Sequence, residues 1–410
     1  MSKYLVSIEM DGETVPVGML EVFENRGREF YRFGYADQWI DHPLGFSIDP
    51  MISFMKGVVV TENRLLGAFQ DISPDRWGRL LQKRAKPGYT AEIGFMIGVS
   101  DSMRLGALRI SSANTPENYL STNADIPKFV MISELMESIQ RVQSNLETPE
   151  DIRMLLHPGA SLGGARPKAV VQDDGEMWIA KFPSQDDDRR VSLWEDMMLK
   201  MAGTVGIKIP EHKVIFISEG KPVLLVKRFD RTDTGERIPF MSAMTMLGRD
   251  EKSANPGSYL EMAETLITVA ANPDEDVRQI WKRMVFNILS GNTDDHLRNH
   301  GFLRTPKGWV ISPAYDLNPT RIEKRTHALS FDGATDLPDL DLCLTLSPYF
   351  RYTSESDAKN DLNHIREGVS KWRDLAKDVG LDAREILRME KAFEMADRPG
   401  KTSGVSFRTK

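Results

Sequence analysis

Residues 289–302 read LSGNTDDHLRNHGF, and the fold turns on what that stretch is for. Two adjacent carboxylates (Asp294 and Asp295), two histidines (His296 and His300), Arg298 and two asparagines (Asn292 and Asn299) crowd into one turn-rich segment. The run before it, IWKRMVFNIL over residues 280–289, is apolar and compatible with a helix, and Ser290, Gly291 and Asn292 break it. The spacing predicts a buried helix that ends where the polar cluster begins, so that the cluster faces a cleft.

The chain has 410 residues, more than one typical domain, which predicts two or three lobes around a large core. Hydrophobic content of 40% and charged content of 28% are those of an ordinary globular protein. A net charge of -7 argues against broad contact with a phosphate backbone, leaving a local patch or a basic partner as the routes to nucleic acid. The single cysteine, Cys343, permits no internal disulfide and fits a reducing compartment. Residues 1–10 have no cationic region followed by a long apolar one, and no segment reaches the roughly 18 apolar residues of a membrane span. A cytoplasmic protein without membrane contact is expected.

Upstream, residues 4–10, 15–23 and 29–35 read as strands of a small sheet, the first two joined by the turn at Asp11 and Gly12. In GAFQDISPDRWGR, residues 67–79, Ser73 is the expected N-cap and Pro74 the first residue of a helix running toward Arg84. Residues 104–110 read as another strand. The polar stretch 111–123, with Pro116, reads as a linker and sets the first domain boundary.

Beyond a helical stretch over residues 126–145 lies a glycine cluster, HPGASLGGARPK, residues 157–168. Glycines let backbone N–H groups approach phosphate oxygens, and Arg166 and Lys168 add positive charge. It is not a Walker loop. The one Gly-Lys-Thr, residues 400–402, has Met395 where the leading glycine belongs. Residues 169–172 and 176–183 read as two strands around Asp173, Asp174 and Gly175, which puts Lys181 on a strand in a Trp-Ile-Ala-Lys context. An amphipathic helix over residues 191–202 is expected next, carrying Glu195, a candidate partner for that lysine. A second hairpin spans 214–217 and 222–231, and a helical lobe begins near Tyr259.

This order matches the mechanics of protein kinases, in which a strand lysine holds phosphates, a catalytic-loop Asp is followed five positions later by a metal-binding Asn, and a second metal-binding Asp comes later. Asp294 and Asn299 have that spacing; Asp295 does not, because His300 stands five positions on. Asp294 is therefore the candidate base, and Asp316, after the strand 309–311, is the candidate second ligand beside Asn299. Hard oxygen donors of this kind suit Mg²⁺. Two other chemistries stay open. His296 and His300, four apart, would share a face of a helix and could bind Zn²⁺, although Leu297 stands where a zinc protease has its Glu. Alternatively, a kinase-like core could hold nucleotide without transferring phosphate.

The whole set resembles the HipA-type toxins, the serine/threonine kinases of bacterial type II toxin–antitoxin pairs. The matching segments are SPDRWG at 73–78, SLGGARPK at 161–168, RFDR at 228–231, TDDHLRN at 293–299 and the pair Tyr315, Asp316. The resemblance implies an α+β fold with a protein-kinase-like two-lobed core: a β-rich N-terminal domain over 1–120, a β-rich N-lobe over 121–235 and a helical C-lobe over 236–410. It implies ATP and Mg²⁺ as cofactors, with ATP contacts from Gly163, Gly164, Ala165, Arg166, Pro167, Lys168, Lys181, Lys227, Arg228, Phe229, His296, Arg298, Asn299, Tyr315 and Asp316. Asn299 and Asp316 would be the metal ligands, Asp294 the catalytic base and Ser161 the autophosphorylation site. It also implies a HipB-like helix-turn-helix antitoxin as partner, operator DNA reached through that antitoxin, and a protein substrate such as an aminoacyl-tRNA synthetase. In two places the chain departs from some members: Arg298 stands for Lys, which keeps the charge with another geometry, and Asp295 stands for Gly, which adds a negative charge beside the base.

Overall fold

A computed structural model describes residues 1–10, 12–88, 91–122, 126–158, 166–217, 220–251, 253, 255–321 and 326–397. Its described residues form two compact units, one of 1–187 with 215–241 and the other of 188–214 with 242–410. Strands and helices are segregated in the manner of the expected α+β class.

In the first unit a six-stranded antiparallel sheet has the order β4-β3-β2-β1-β5-β6, built from β1 (Ser2–Met10), β2 (Glu13–Asn25), β3 (Arg28–Tyr35), β4 (Val59–Glu62), β5 (Leu108–Ser112) and β6 (Thr115–Tyr119). The expected linker is thus in part an edge strand; β6 is almost wholly exposed and carries Pro116, which removes the apolar alternation that marks a strand. β5 starts later than its sequence implies because Arg104 is fully buried and donates to the carbonyls of Met96 (3.1 Å) and Val99 (3.0 Å), holding the preceding residues as a loop.

A second sheet, β7-β8-β10-β9, comprises β7 (Lys168–Asp173), β8 (Glu176–Lys181), β9 (His212–Ile217) and β10 (Lys221–Lys227). Asp174 (φ 47°) and Gly175 (φ 87°) both take positive φ between β7 and β8, as a type I′ Asp-Gly turn requires. One face of this sheet, with Ala169, Val171, Ala180 and Phe182, packs on Trp77 and Leu81 of the helix Arg76–Ala85 and on the helix Ile132–Gln143. That first helix is capped by Asp75, whose carboxylate accepts from Gly78 N–H at 2.7 Å, and not by Ser73. Ser73 Oγ instead donates to Phe69 O at 2.7 Å and closes the preceding helix.

The RFDR segment is a buried charge cluster. Asp230, 1% exposed, accepts from Arg228 Nε (2.9 Å) and Nη2 (2.7 Å), from Arg231 Nη1 (2.8 Å) and from Gly106 N–H (2.7 Å). Burial alone would raise its carboxyl, but Arg228 and Arg231 outweigh it and hold Asp230 far below the usual carboxylate range. Asp230→Asn leaves two buried guanidinium groups without their counter-ion and is expected to destabilise the protein by about 2 to 3 kcal/mol, measured by urea unfolding. An unchanged midpoint would mean that the carbonyls of Met103, Arg104 and Gly106 suffice to hold both arginines.

The second unit is built on the helix Pro273–Ser290, nearly every turn of which is buried. Pro273 opens it and Asp274, Glu275 and Asp276 fill its first turn, where they complement the helix dipole. The helices Tyr259–Val269 and Glu355–Ser370 pack against it, and Trp281, fully buried, donates to Cys343 O at 2.9 Å. It stops at Gly291 (φ 64°), where an added Cβ would lie 2.4 Å from the Ala392 carbonyl. The expected helix end therefore falls where Ser290 and Gly291 put it. The helix over 191–202 is longer (Val191–Thr204) and buried on almost all sides rather than amphipathic.

Candidate active site

In the second unit the loop after Gly291 is held from beneath by a chain of buried polar side chains. Ser258 caps the helix Tyr259–Val269 by accepting from Glu261 N–H at 3.0 Å, which fixes Tyr259 in the first turn. Asn292 Nδ2 donates to Asn287 Oδ1 (3.0 Å), Asn287 Nδ2 donates to Tyr259 Oη (3.0 Å), and Tyr259 Oη donates to Asp295 Oδ2. His300 Nε2 donates to the same carboxylate oxygen at 2.8 Å. None of these five side chains belongs to a residue more than 2% exposed. Burial opposes the charge of Asp295, yet His300 and Tyr259 together hold its carboxyl below the ordinary range.

Asp295 is thus an anchor, and its neighbour is turned the other way. Asp294 is exposed, and its carboxyl is pushed up by partial desolvation and by the charges of Asp316 and Asp295, against the opposing charge of His296. A single 3-10 turn, Leu297–Asn299, follows, and His300 is extended (φ -116°, ψ 133°). The two histidines therefore do not share a helical face: His296 is exposed, and the Nε2 of His300 is committed to Asp295. Asn299 N–H donates to His296 O (2.8 Å) and its Nδ2 to the Asp294 carbonyl (3.4 Å), which leaves Oδ1 as an acceptor. Arg298 lies 3.3 Å from Glu251, and its carbonyl accepts from Tyr315 Oη at 2.7 Å.

Tyr315 thereby ties the loop to the next residue, Asp316, a non-glycine at φ 59°. Positive φ at such a position costs on the order of 1 kcal/mol and is concentrated at functional sites. The negative charge of Asp316 acts on Asp294 and helps to raise its carboxyl. Carboxylate and amide oxygens such as those of Asp316 and Asn299 are hard donors, of the kind that suits a divalent cation such as Mg²⁺.

The remaining candidates lie in the first unit. Ser161, Gly163, Gly164 and Ala165 fall outside the described residues. Arg166 pairs with Asp187, and Pro167 accepts Phe182 N–H at 3.0 Å. Lys168, 3% exposed, pairs with Asp75 at 3.0 Å. Lys181 stands directly opposite Lys168 across the β7/β8 ladder and is half-buried. Lys227 reaches Glu176 and lies 3.3 Å from Asp233. Arg228 is absorbed by Asp230, and its N–H donates to Met177 O at 2.9 Å, while Phe229 packs beside Phe240 with ring centres 6.4 Å apart. Sequence reasoning missed Tyr259, Asn287 and Asp75; Tyr259 and Asp75 lie 36 and 93 residues from the Asp295 and Lys168 they meet, and Asn287 lies 28 from Tyr259.

Residues 160–397 match the family model of the HipA-like C-terminal domain. The protein Y4dM of Sinorhizobium fredii, named as a candidate kinase, is 32% identical over 162 residues, 36% of this chain and 38% of that one. The serine/threonine-protein kinase toxin HipA of Shewanella oneidensis is 23% identical over 258 residues, 54% of this chain and 58% of the toxin. The matches thus span roughly two-fifths to three-fifths of these relatives' length. Among solved structures, HipA of Shewanella oneidensis MR-1, in a complex with HipB and its operator DNA, has the same fold, with a TM-score of 0.70 at 17% identity over 95% of each chain. With more than half of its length matched by the family model, the chain belongs to the HipA-like C-terminal domain family.

Proposed function

We propose that this protein is an ATP- and Mg²⁺-dependent serine/threonine protein kinase acting as the toxin of a type II toxin–antitoxin module. The observation that carries the reading is the exposed Asp294, raised in part by the charge of Asp316, with Asn299 five residues on and a fully buried anchor at Asp295 beside it. Asp294 accepts the proton of a serine or threonine hydroxyl as its oxygen bonds to the γ-phosphorus and the bond to ADP breaks. Asn299 and Asp316 would hold Mg²⁺, which would supply charge neutralisation at the phosphates. Residues 163–167 and Lys181 serve the phosphates, with Lys168 at the base of the loop in its pair with Asp75, and the backbone of Lys227, Arg228 and Phe229 serves the adenine. His296, Arg298 and Tyr315 complete the nucleotide side of the loop, and Ser161 is the autophosphorylation site.

The protein substrate is a host protein, for which the family resemblance names an aminoacyl-tRNA synthetase. The partner is a HipB-like helix-turn-helix antitoxin, with operator DNA bound through it; the Shewanella relative was solved with HipB and its operator. The net charge of -7 favours leaving DNA to that partner. A silent nucleotide-binding co-repressor is the second reading. Engagement of His300 by Asp295 counts against a zinc hydrolase.

The test is incubation with ATP labelled at the γ-phosphate, with Mg²⁺, in a host lysate. Label is expected on Ser161 and on a lysate protein. Nucleotide binding without label would favour the silent co-repressor, and neither binding nor label would sink the assignment.

A further inference from the structure

Among the links between the N-terminal residues and the second sheet is a buried ion pair at the start of β7. Asp75 Oδ1 accepts Gly78 N–H at 2.7 Å as the cap of the helix Arg76–Ala85, and Oδ2 accepts Lys168 Nζ at 3.0 Å. The two side chains are 4% and 5% exposed and lie 93 residues apart in sequence. Trp77 and Leu81 of the capped helix pack into the same core as Ala169, Val171 and Ala180, so the carboxylate sits on an element fixed against β7 and β8. Lys168 is the first residue of β7 and stands opposite Lys181, and Pro167 before it accepts Phe182 N–H at 3.0 Å.

Net stability is a weak reason for such a pair. Burial raises the Asp75 carboxyl above its ordinary range in spite of Lys168 and the cap, and a buried ion pair is often no more stabilising than apolar side chains of equal volume. What such a pair does is fix position. A lysine held in this way is also committed: turning it toward a phosphate would strand the Asp75 charge in the interior.

We propose that Asp75 is a positioning residue for nucleotide binding, acting through Lys168 to set the start of β7 opposite Lys181, and that Lys168 acts from that position and not by contact with phosphate. The proposal rests on the kinase reading above. It also accounts for the SPDRWG segment, in which Asp75 supplies the carboxylate, Pro74 precedes it, and Trp77 seats the helix.

Asp75→Asn separates the two roles of the carboxylate, because Asn caps a helix as well as Asp but offers no charge to Lys168. The full-length variant is compared with the parent for ATP affinity, KM, kcat and thermal midpoint. The expected result is a KM for ATP raised roughly tenfold with kcat close to the parent's, since small displacements at a binding group have effects of that order. The midpoint should fall, because the buried Lys168 loses its counter-ion, and the kinetics are read well below both midpoints. Lys168→Met should shift KM in the same direction, and the double variant should lose little more than either single one. An unchanged KM in Asp75→Asn, with the parent binding ATP normally, would reduce the pair to scaffold and overturn the proposal. Tighter ATP binding would overturn it the other way, making Lys168 a direct ligand that Asp75 restrains. Failure of the parent to bind ATP would overturn the kinase reading itself, and this proposal with it.

Discussion

Asp294→Asn is expected to leave the protein folded and able to bind nucleotide while lowering the rate of phosphate transfer by about 10² to 10⁴-fold, the usual contribution of a positioned general base. The side chain is exposed and makes none of the buried contacts that hold the loop, so an isosteric amide has little to disturb. What it cannot do is take a proton from the acceptor hydroxyl. The pH profile adds a second signature. Desolvation, with Asp316 and Asp295, raises the Asp294 carboxyl, and the base works only when ionised, so the acid limb of kcat/KM in the parent should lie above the ordinary carboxylate range. Steady-state kinetics across pH, with a thermal midpoint as control, decide the matter. A variant that transfers phosphate within a few-fold of the parent would remove Asp294 from the role.

How much of this was legible beforehand depended on whether the signal was local. The end of the helix Pro273–Ser290 was legible because Ser290 and Gly291 punctuate an apolar run, and the β7/β8 turn because Asp174 and Gly175 suit positive φ. The cap at Asp75 was not, because Ser73 and Pro74 form an equally good signal two residues earlier and only the Lys168 partner breaks the tie. β6 was hidden by its exposure, and the helix Val191–Thr204 was legible but its all-round burial was not, because of the polar Ser192, Glu195 and Asp196 it carries inward. Within the loop, the five-residue spacing separated Asp294 from Asp295, but nothing local showed that Asp295 is buried. Its partners, Tyr259 and His300, lie 36 and 5 residues away, and only the first of those distances is beyond the reach of a motif.

That burial makes Asp295 the position at which fold and chemistry are most tightly joined. Asp295→Ala would leave Tyr259 Oη and His300 Nε2 without an acceptor and would take from the nearby Arg283, itself 2% exposed, the largest of the negative charges that act on it. The cost expected for a buried charge partner removed in this way is about 3 to 5 kcal/mol, readable as a lowered urea midpoint. Asp295→Asn keeps shape and one acceptor but loses the charge, and should cost less, about 1 to 3 kcal/mol. The sign of the pH dependence follows from the depressed carboxyl. Asp295 is more acidic folded than unfolded, so its stabilisation is present above the unfolded carboxylate pKa and is lost as pH falls through and below that range. The parent should therefore lose more stability than Asp295→Asn between neutral pH and about pH 3. Equal losses in the two proteins would show that Asp295 is not held as the anion. Because Asp295 also raises its neighbour, the surviving activity of Asp295→Asn should have its acid limb shifted to lower pH, while Asp294→Asn has no comparable effect on unfolding. One carboxylate thus answers to a denaturation curve and the adjacent one to a rate constant, and exchange of those two signatures would reverse the roles assigned to them.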